Sequence, residues 1–183
     1  MLARAAGDLD ALLAGDAPAP GARGPRPAPG PGLTLARDAA RDLALALVGR
    51  DALAASAGAD LAHPQLAAFT ELHLDGAAPP RVFALYGLPP AILRTILAHE
   101  LVHVLQAAGG AVGPGSDRAF LEGVALWCQL RLARRLGLAA WADRLVAHPD
   151  PTYARGLAAF EALVAREGER AALGQALRRG RAW

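Results

Sequence analysis

Residues 99–103 read His-Glu-Leu-Val-His, inside the segment TILAHELVHVLQ that spans 95–106. On a helix, positions i and i+4 lie one turn apart on the same face, so His99 and His103 can reach a single ion. Glu100 sits beside them, close enough to act on a metal-bound water but not placed to ligate. Its surroundings sharpen the reading. Ile92, Leu93, Ile96, Leu97, Leu101, Val102, Val104 and Leu105 make this helix apolar nearly all round, which marks a buried helix. Thr95, His99, Glu100, His103 and Gln106 fall in one sector. Burying two imidazoles and a carboxylate together costs several kcal/mol unless something compensates, and a divalent cation would. The plainer alternative is a helical core in which these three side chains satisfy one another.

A third ligand should come from a neighbouring helix. The segment AFLEGVALW (119–127) offers Glu122, surrounded by Phe120, Leu121, Val124, Ala125, Leu126 and Trp127. Eighteen residues lie between His103 and Glu122, enough for a helix end, a Gly-rich loop and a turn back. Two His and one carboxylate, with a fourth position left to water, is the donor set of a catalytic zinc site. The alternative for Glu122 is an exposed acid that favours the helix dipole.

The His-Glu-Leu-Val-His segment, followed at this distance by Glu122-Gly123, resembles the gluzincin metallopeptidases, in which a Glu on the second helix completes the site. The likeness extends upstream. ALYGLPPAILRTILAHELVHVLQ looks like the peptidase domain of the plant LIM-domain, ubiquitin-activated growth-regulating proteases and their shorter bacterial relatives. In those, a strand ending in Tyr-Gly-Leu-Pro leads into a helix reading Ile-Leu-Ala-His-Glu. Here these are Tyr86 to Pro89 and Ile96 to Glu100, and the likeness covers about residues 81–130. Where the plant proteins carry Glu-Glu-Gly at the third ligand, this chain has Leu121-Glu122-Gly123. No LIM module is expected, because the given sequence has the single Cys128, and no ubiquitin-binding module is expected either. Ubiquitin control and the plant substrates are therefore not carried over.

The resemblance implies a zincin-like fold and a zinc-dependent peptidase. Zinc on His99, His103 and Glu122 would bring its water to a pKa of about 7. Glu100 would take the proton and return it to the leaving amine. A further donor should help stabilise the oxyanion. Tyr153 is the catalytic candidate, because YARGLAAFEAL (153–163) resembles the Tyr-containing helix that follows the site in many relatives. His148 is a second candidate; the alternatives are a packed Tyr ring with a hydrated hydroxyl and a surface-loop His. The strand Val82 to Tyr86 could pair with an extended substrate by strand addition, or be an ordinary sheet strand. A different class of protein stays open, a catalytically inactive zincin-like domain that keeps the site for stability or partner binding.

The elements that must position these residues are legible in outline. Residues 1–32 read as a flexible Ala/Pro/Gly-rich segment, with APAPGARGPRPAPGPG (17–32) unable to hold a helix or a ladder. The short helical pattern Leu2 to Leu13 is isolated by that run and is expected to be disordered or loosely docked. Residues 33–183 read as the peptidase domain. LTLARDAARDLALALVG (33–49) reads as an amphipathic helix and 51–64 as a second. FTELHLD (69–75) and RVFALYG (81–87) read as a strand pair. Pro89 and Pro90 open the His-bearing helix, which stops at Gly109-Gly110. Ser116 or Asp117 caps a long helix to about Leu136. Further helices are expected near 139–147, from Tyr153 to Arg166, and over 169–179. Helices, a small strand pair and helices again make the class α+β, mainly helical.

Composition narrows the rest. The chain has 183 residues, a prior for one domain, and 54% are hydrophobic, enough for a core. All 19 basic residues are Arg, against 17 acidic, and Ala is about a quarter of the chain. The small, dispersed charge excess makes nucleic acid an unexpected partner. The Arg-rich end (Arg178, Arg179, Arg181) reads as a solvated tail. One Cys excludes a disulfide framework and Cys-cluster zinc modules. No apolar run of about 18 residues lacks a charge, so no membrane span is expected. Asp8, Asp10 and Asp16 interrupt the N-terminal apolar stretch, so no signal peptide is expected either. A cytoplasmic protein acting on a peptide or protein substrate is the expectation. His63 and His73 read as surface or turn residues, Cys128, Trp127 and Trp141 as core. Oligomeric state is not set by the sequence.

Overall fold

The computed structural model describes residues 1–13, 35–57, 66–73 and 77–179. Its elements, in chain order, begin with α1 (Leu2–Leu13), α2 (Leu35–Arg41), β1 (Ala44–Val48), α3 (Arg50–Ala57), β2 (Ala68–Glu71) and β3 (Arg81–Leu85). The helices α4 (Pro90–Ala108), α5 (Arg118–Arg135), α6 (Ala139–Val146), α7 (Pro151–Glu167) and α8 (Glu169–Arg179) follow. The architecture is mainly helical with one small mixed sheet, in agreement with an α+β class. The run 17–32, residues 58–65 with His63, and the end with Arg181 lie outside the described residues.

Helix α4 is the centre of the molecule. The sheet, α1, α2, α5 and α8 all pack against it, and Leu97, Leu101 and Val102 are fully buried. The surrounding elements start and stop where local chemistry says they should. Asp117 caps α5 by accepting a bond from Phe120 N at 3.2 Å. Asp150 caps α7 by accepting one from Thr152 N at 2.8 Å, with Pro151 in the first turn. Helix α4 ends at Gly109, and Gly110 takes φ +73, a backbone conformation that favours glycine.

Three expectations are corrected. Helix α1 is not loosely docked. Its Ala5, Ala6 and Leu9 are buried in the main core, and Asp8 pairs with Arg94 of α4, whose Nε lies 3.1 Å from Asp8 Oδ2. The Asp10 carboxylate also accepts from Ala36 N at 2.8 Å, serving a first-turn donor of α2 that its own helix leaves without a partner.

The long helix read over 33–49 is instead the seven-residue α2 followed by β1. Leu and Ala favour helix locally, but β1 runs parallel to β3 along its whole length, Ala44 opposite Arg81 to Val48 opposite Leu85. Strand pairing overrides the weak local preference. The strand pair is thus a three-stranded sheet of order β1-β3-β2, with β2 antiparallel to β3.

Finally, β3 is the middle strand. Both of its edges are occupied, so Val82 to Tyr86 cannot take a substrate by strand addition. Among the described residues the open edges belong to β1 and β2.

Candidate metal centre

The site is built on two adjacent helices. Helix α4 carries His99 and His103, and α5 returns antiparallel-fashion through the Gly-rich loop to bring Glu122 opposite them. The two imidazole Nε2 atoms lie 3.2 Å apart. Each is 3.4 Å from the same Glu122 oxygen, Oε2. One donor atom from each residue falls within 4.8 Å of the others, so the three side chains can hold a metal ion. The Glu122 side chain is only 15% exposed, which removes the alternative of a solvent-facing first-turn acid.

The donor set fits a cation better than it fits itself. Glu122 Oε2 is buried and makes no hydrogen bond among the described residues. Such groups are costly when left without a partner. Two imidazole nitrogens pointed at each other can share at most one proton, so the three side chains satisfy one another only when an imidazole is protonated, whereas a cation would use all three lone pairs.

Gln106 sets the state of His103. Its amide Nε2 donates to Leu121 O at 3.1 Å, which orients its Oε1 towards His103 Nδ1 at 2.9 Å. That nitrogen must then be the N–H donor, leaving Nε2 directed at Glu122 as the ligating atom. The same amide ties the His103 turn of α4 to the α5 residue next to Glu122.

Electrostatics tighten the cluster without metal. Burial alone would push the His103 imidazole down. The Glu122 carboxylate against it, with Glu100 and Gln106, overrides burial and raises its pKa from 6.5 to about 9. Burial likewise works to raise Glu122, but the imidazoles of His103 and His99 hold it well below the usual carboxylate range.

Glu100 is buried beside the cluster. Its Oε2 accepts from the Thr70 hydroxyl of β2 at 2.7 Å. Tyr153, in the first turn of α7, stands over the site with its ring centroid 6.3 Å from that of His99. Burial, the neighbouring Glu122 and Glu100 carboxylates and a hydrogen bond with Glu122 all push its hydroxyl pKa up. The hydroxyl therefore keeps its proton near neutral pH and can act as a hydrogen-bond donor. The His148 ring packs on Tyr153, centroids 4.2 Å apart, and its Nδ1 accepts from Asp150 N at 3.2 Å. His73 lies away from the cluster, its Nε2 3.9 Å from Glu71.

The structure thus brings together His99, Glu100, His103, Glu122 and Tyr153. Sequence reading missed the parts played by Thr70 and Gln106. Gln106 lies one turn beyond His103 in the polar sector, a usable signal. Thr70 is 30 residues from Glu100 in the chain, and nothing local marks it.

No family model, curated protein or solved structure was found to match the chain. Among the described residues, no helix is long and apolar enough to cross a membrane.

Proposed function

We propose that the protein is a zinc-dependent peptidase of the gluzincin type, with a zincin-like fold and a peptide or protein substrate. The observation that carries this reading is the convergence of His99 Nε2, His103 Nε2 and Glu122 Oε2 next to the buried carboxylate of Glu100. Zinc suits two imidazoles and one carboxylate, and bound there it supplies Lewis acidity and a water acidified to a pKa of about 7. The sequence likeness to the gluzincins over about residues 81–130 supports the same reading.

The chain's own residues then have distinct tasks. Glu100 receives a proton from the attacking water and returns it to the leaving amine. Its Oε2 is engaged by Thr70, so Oε1 is the atom that carries the proton. Tyr153, kept protonated by its surroundings, donates to the oxygen on which negative charge develops. Gln106 keeps His103 in its ligating tautomer.

An extended peptide has a place to bind on β2 rather than β3. Ala67 O accepts from Leu85 N, which makes Ala67–Leu85, and by alternation Phe69–Phe83 and Glu71–Arg81, the hydrogen-bonded pairs of β2 and β3. The backbone groups of Ala68 and Thr70 therefore point to the open edge, where a peptide strand can pair with them.

The test joins metal analysis to hydrolysis. Protein prepared with zinc should bind one ion and cleave an unfolded protein substrate. Glu100→Gln should keep the ion and lose cleavage by roughly 10²–10⁴-fold. A zinc-loaded wild type that cleaves nothing points instead to an inactive zincin-like binding or structural domain. Absence of zinc from the wild type sinks both.

A further inference from the structure

We infer that Thr70 is a positioning residue that sets the orientation of the Glu100 carboxylate from the open edge of the sheet, an inference that rests on the peptidase reading above. Three observations carry it. The Thr70 hydroxyl lies 2.7 Å from Glu100 Oε2 and 3.3 Å from the Glu100 backbone oxygen. Its single proton goes to the nearer acceptor, the side-chain oxygen. Thr70 is opposite Val82, and Ala68 is opposite Ala84. Val82 and Ala84 are fully buried, so the inner face of β2 is the one turned to α4. The backbone N–H and C=O of Thr70 lie on the open edge, because its neighbours Phe69 and Glu71 make the bonds to β3.

One residue therefore faces two ways. Its side chain grips the base, and its main chain is available to the substrate. A Glu side chain has rotamer freedom that a general base must lose before reaction, and small misplacements of a reacting group are costly. Thr70 removes that freedom through a bond to one oxygen and leaves the other for the proton. A peptide strand paired with the Thr70 backbone is then placed in a set register against Glu100. Substrate alignment and base alignment share a single β2 residue.

The experiment compares wild type, Thr70→Val and Thr70→Ser as zinc-loaded protein on one peptide substrate. Val keeps the β-branched shape and loses the hydroxyl, whereas Ser keeps the hydroxyl. Thr70→Val should lower kcat by about 10–100-fold, with KM and zinc content within about twofold of wild type. Thr70→Ser should restore most of kcat. In metal-free protein, Thr70→Val and Glu100→Gln should shift the unfolding midpoint non-additively, as two residues in contact do. Equal kcat for wild type and Thr70→Val overturns this inference and leaves the peptidase reading intact. A Ser variant as slow as Val, or additive stability shifts, also overturns it. A zinc-loaded wild type without hydrolysis overturns the peptidase reading, and this inference with it.

Discussion

Gly123 of α5 and Gly156 of α7 lie back to back, and a Cβ on either would collide with the other helix's backbone. These two helices make the most extensive helix pair in the molecule. The crossing has a functional consequence, because Gly123 follows Glu122 and Gly156 lies one turn beyond Tyr153. Close approach at the glycines is what brings the α7 hydroxyl to the α5 carboxylate. Gly123→Ala is expected to destabilise the fold by about 1–3 kcal/mol or more, since backbone atoms cannot rotate aside. Gly113→Ala, where a Cβ meets nothing within 4 Å, should leave the denaturant midpoint nearly unchanged. Equal midpoints for the two variants would contradict the packing.

Metal binding should release protons. In the metal-free protein His103 has its pKa raised to about 9, so at neutral pH an incoming ion must displace a proton from it. Apparent zinc affinity should fall as pH drops below about 9, and titration calorimetry in buffers of different ionisation enthalpy should show the release. Stability of the metal-free protein follows the same groups. The His103 contribution is fully present below pH 6.5 and is lost as pH rises through about 9. The Glu122 contribution, from a depressed pKa, is present above about pH 4.5 and is lost as pH falls further. The metal-free fold should therefore gain most from this pair between those limits.

Tyr153→Phe removes the hydroxyl while keeping the ring against His148. If the hydroxyl donates to developing negative charge, kcat should fall by roughly 10²–10³-fold with zinc retained. A fall in zinc content that accounts for the whole loss would instead assign the hydroxyl to holding Glu122.

The first helix belongs to the core, and its removal should be felt. Leu9 is 1% exposed, so Leu9→Ala should cost about 2–5 kcal/mol in denaturant unfolding. A loosely docked α1 would give almost no change. The Asp8–Arg94 pair ties α1 directly to the helix that carries both imidazoles.

The amino-acid sequence by itself determined what depends on near neighbours along the chain. The i, i+4 spacing of His99 and His103, the apolar surround that buries them, and the Pro, Asp and Gly stops of α4, α5 and α7 follow from helix geometry and local hydrogen bonding. Residue type, apolar neighbours and the eighteen-residue separation from His103 singled out Glu122 as a ligand candidate. The tertiary structure decided everything that depends on distant partners. Ala44 to Val48 has no strong preference of its own and became a strand because β3 was there to pair with it. The same pairing moved β3 to the middle and, among the described residues, left the open edges to β1 and β2. Thr70 acquired its carboxylate, and α1 its place on α4, only when remote segments met. Periodicity is set by covalent geometry within a few residues, whereas strand order and helix contact are settled by which buried surfaces fit together.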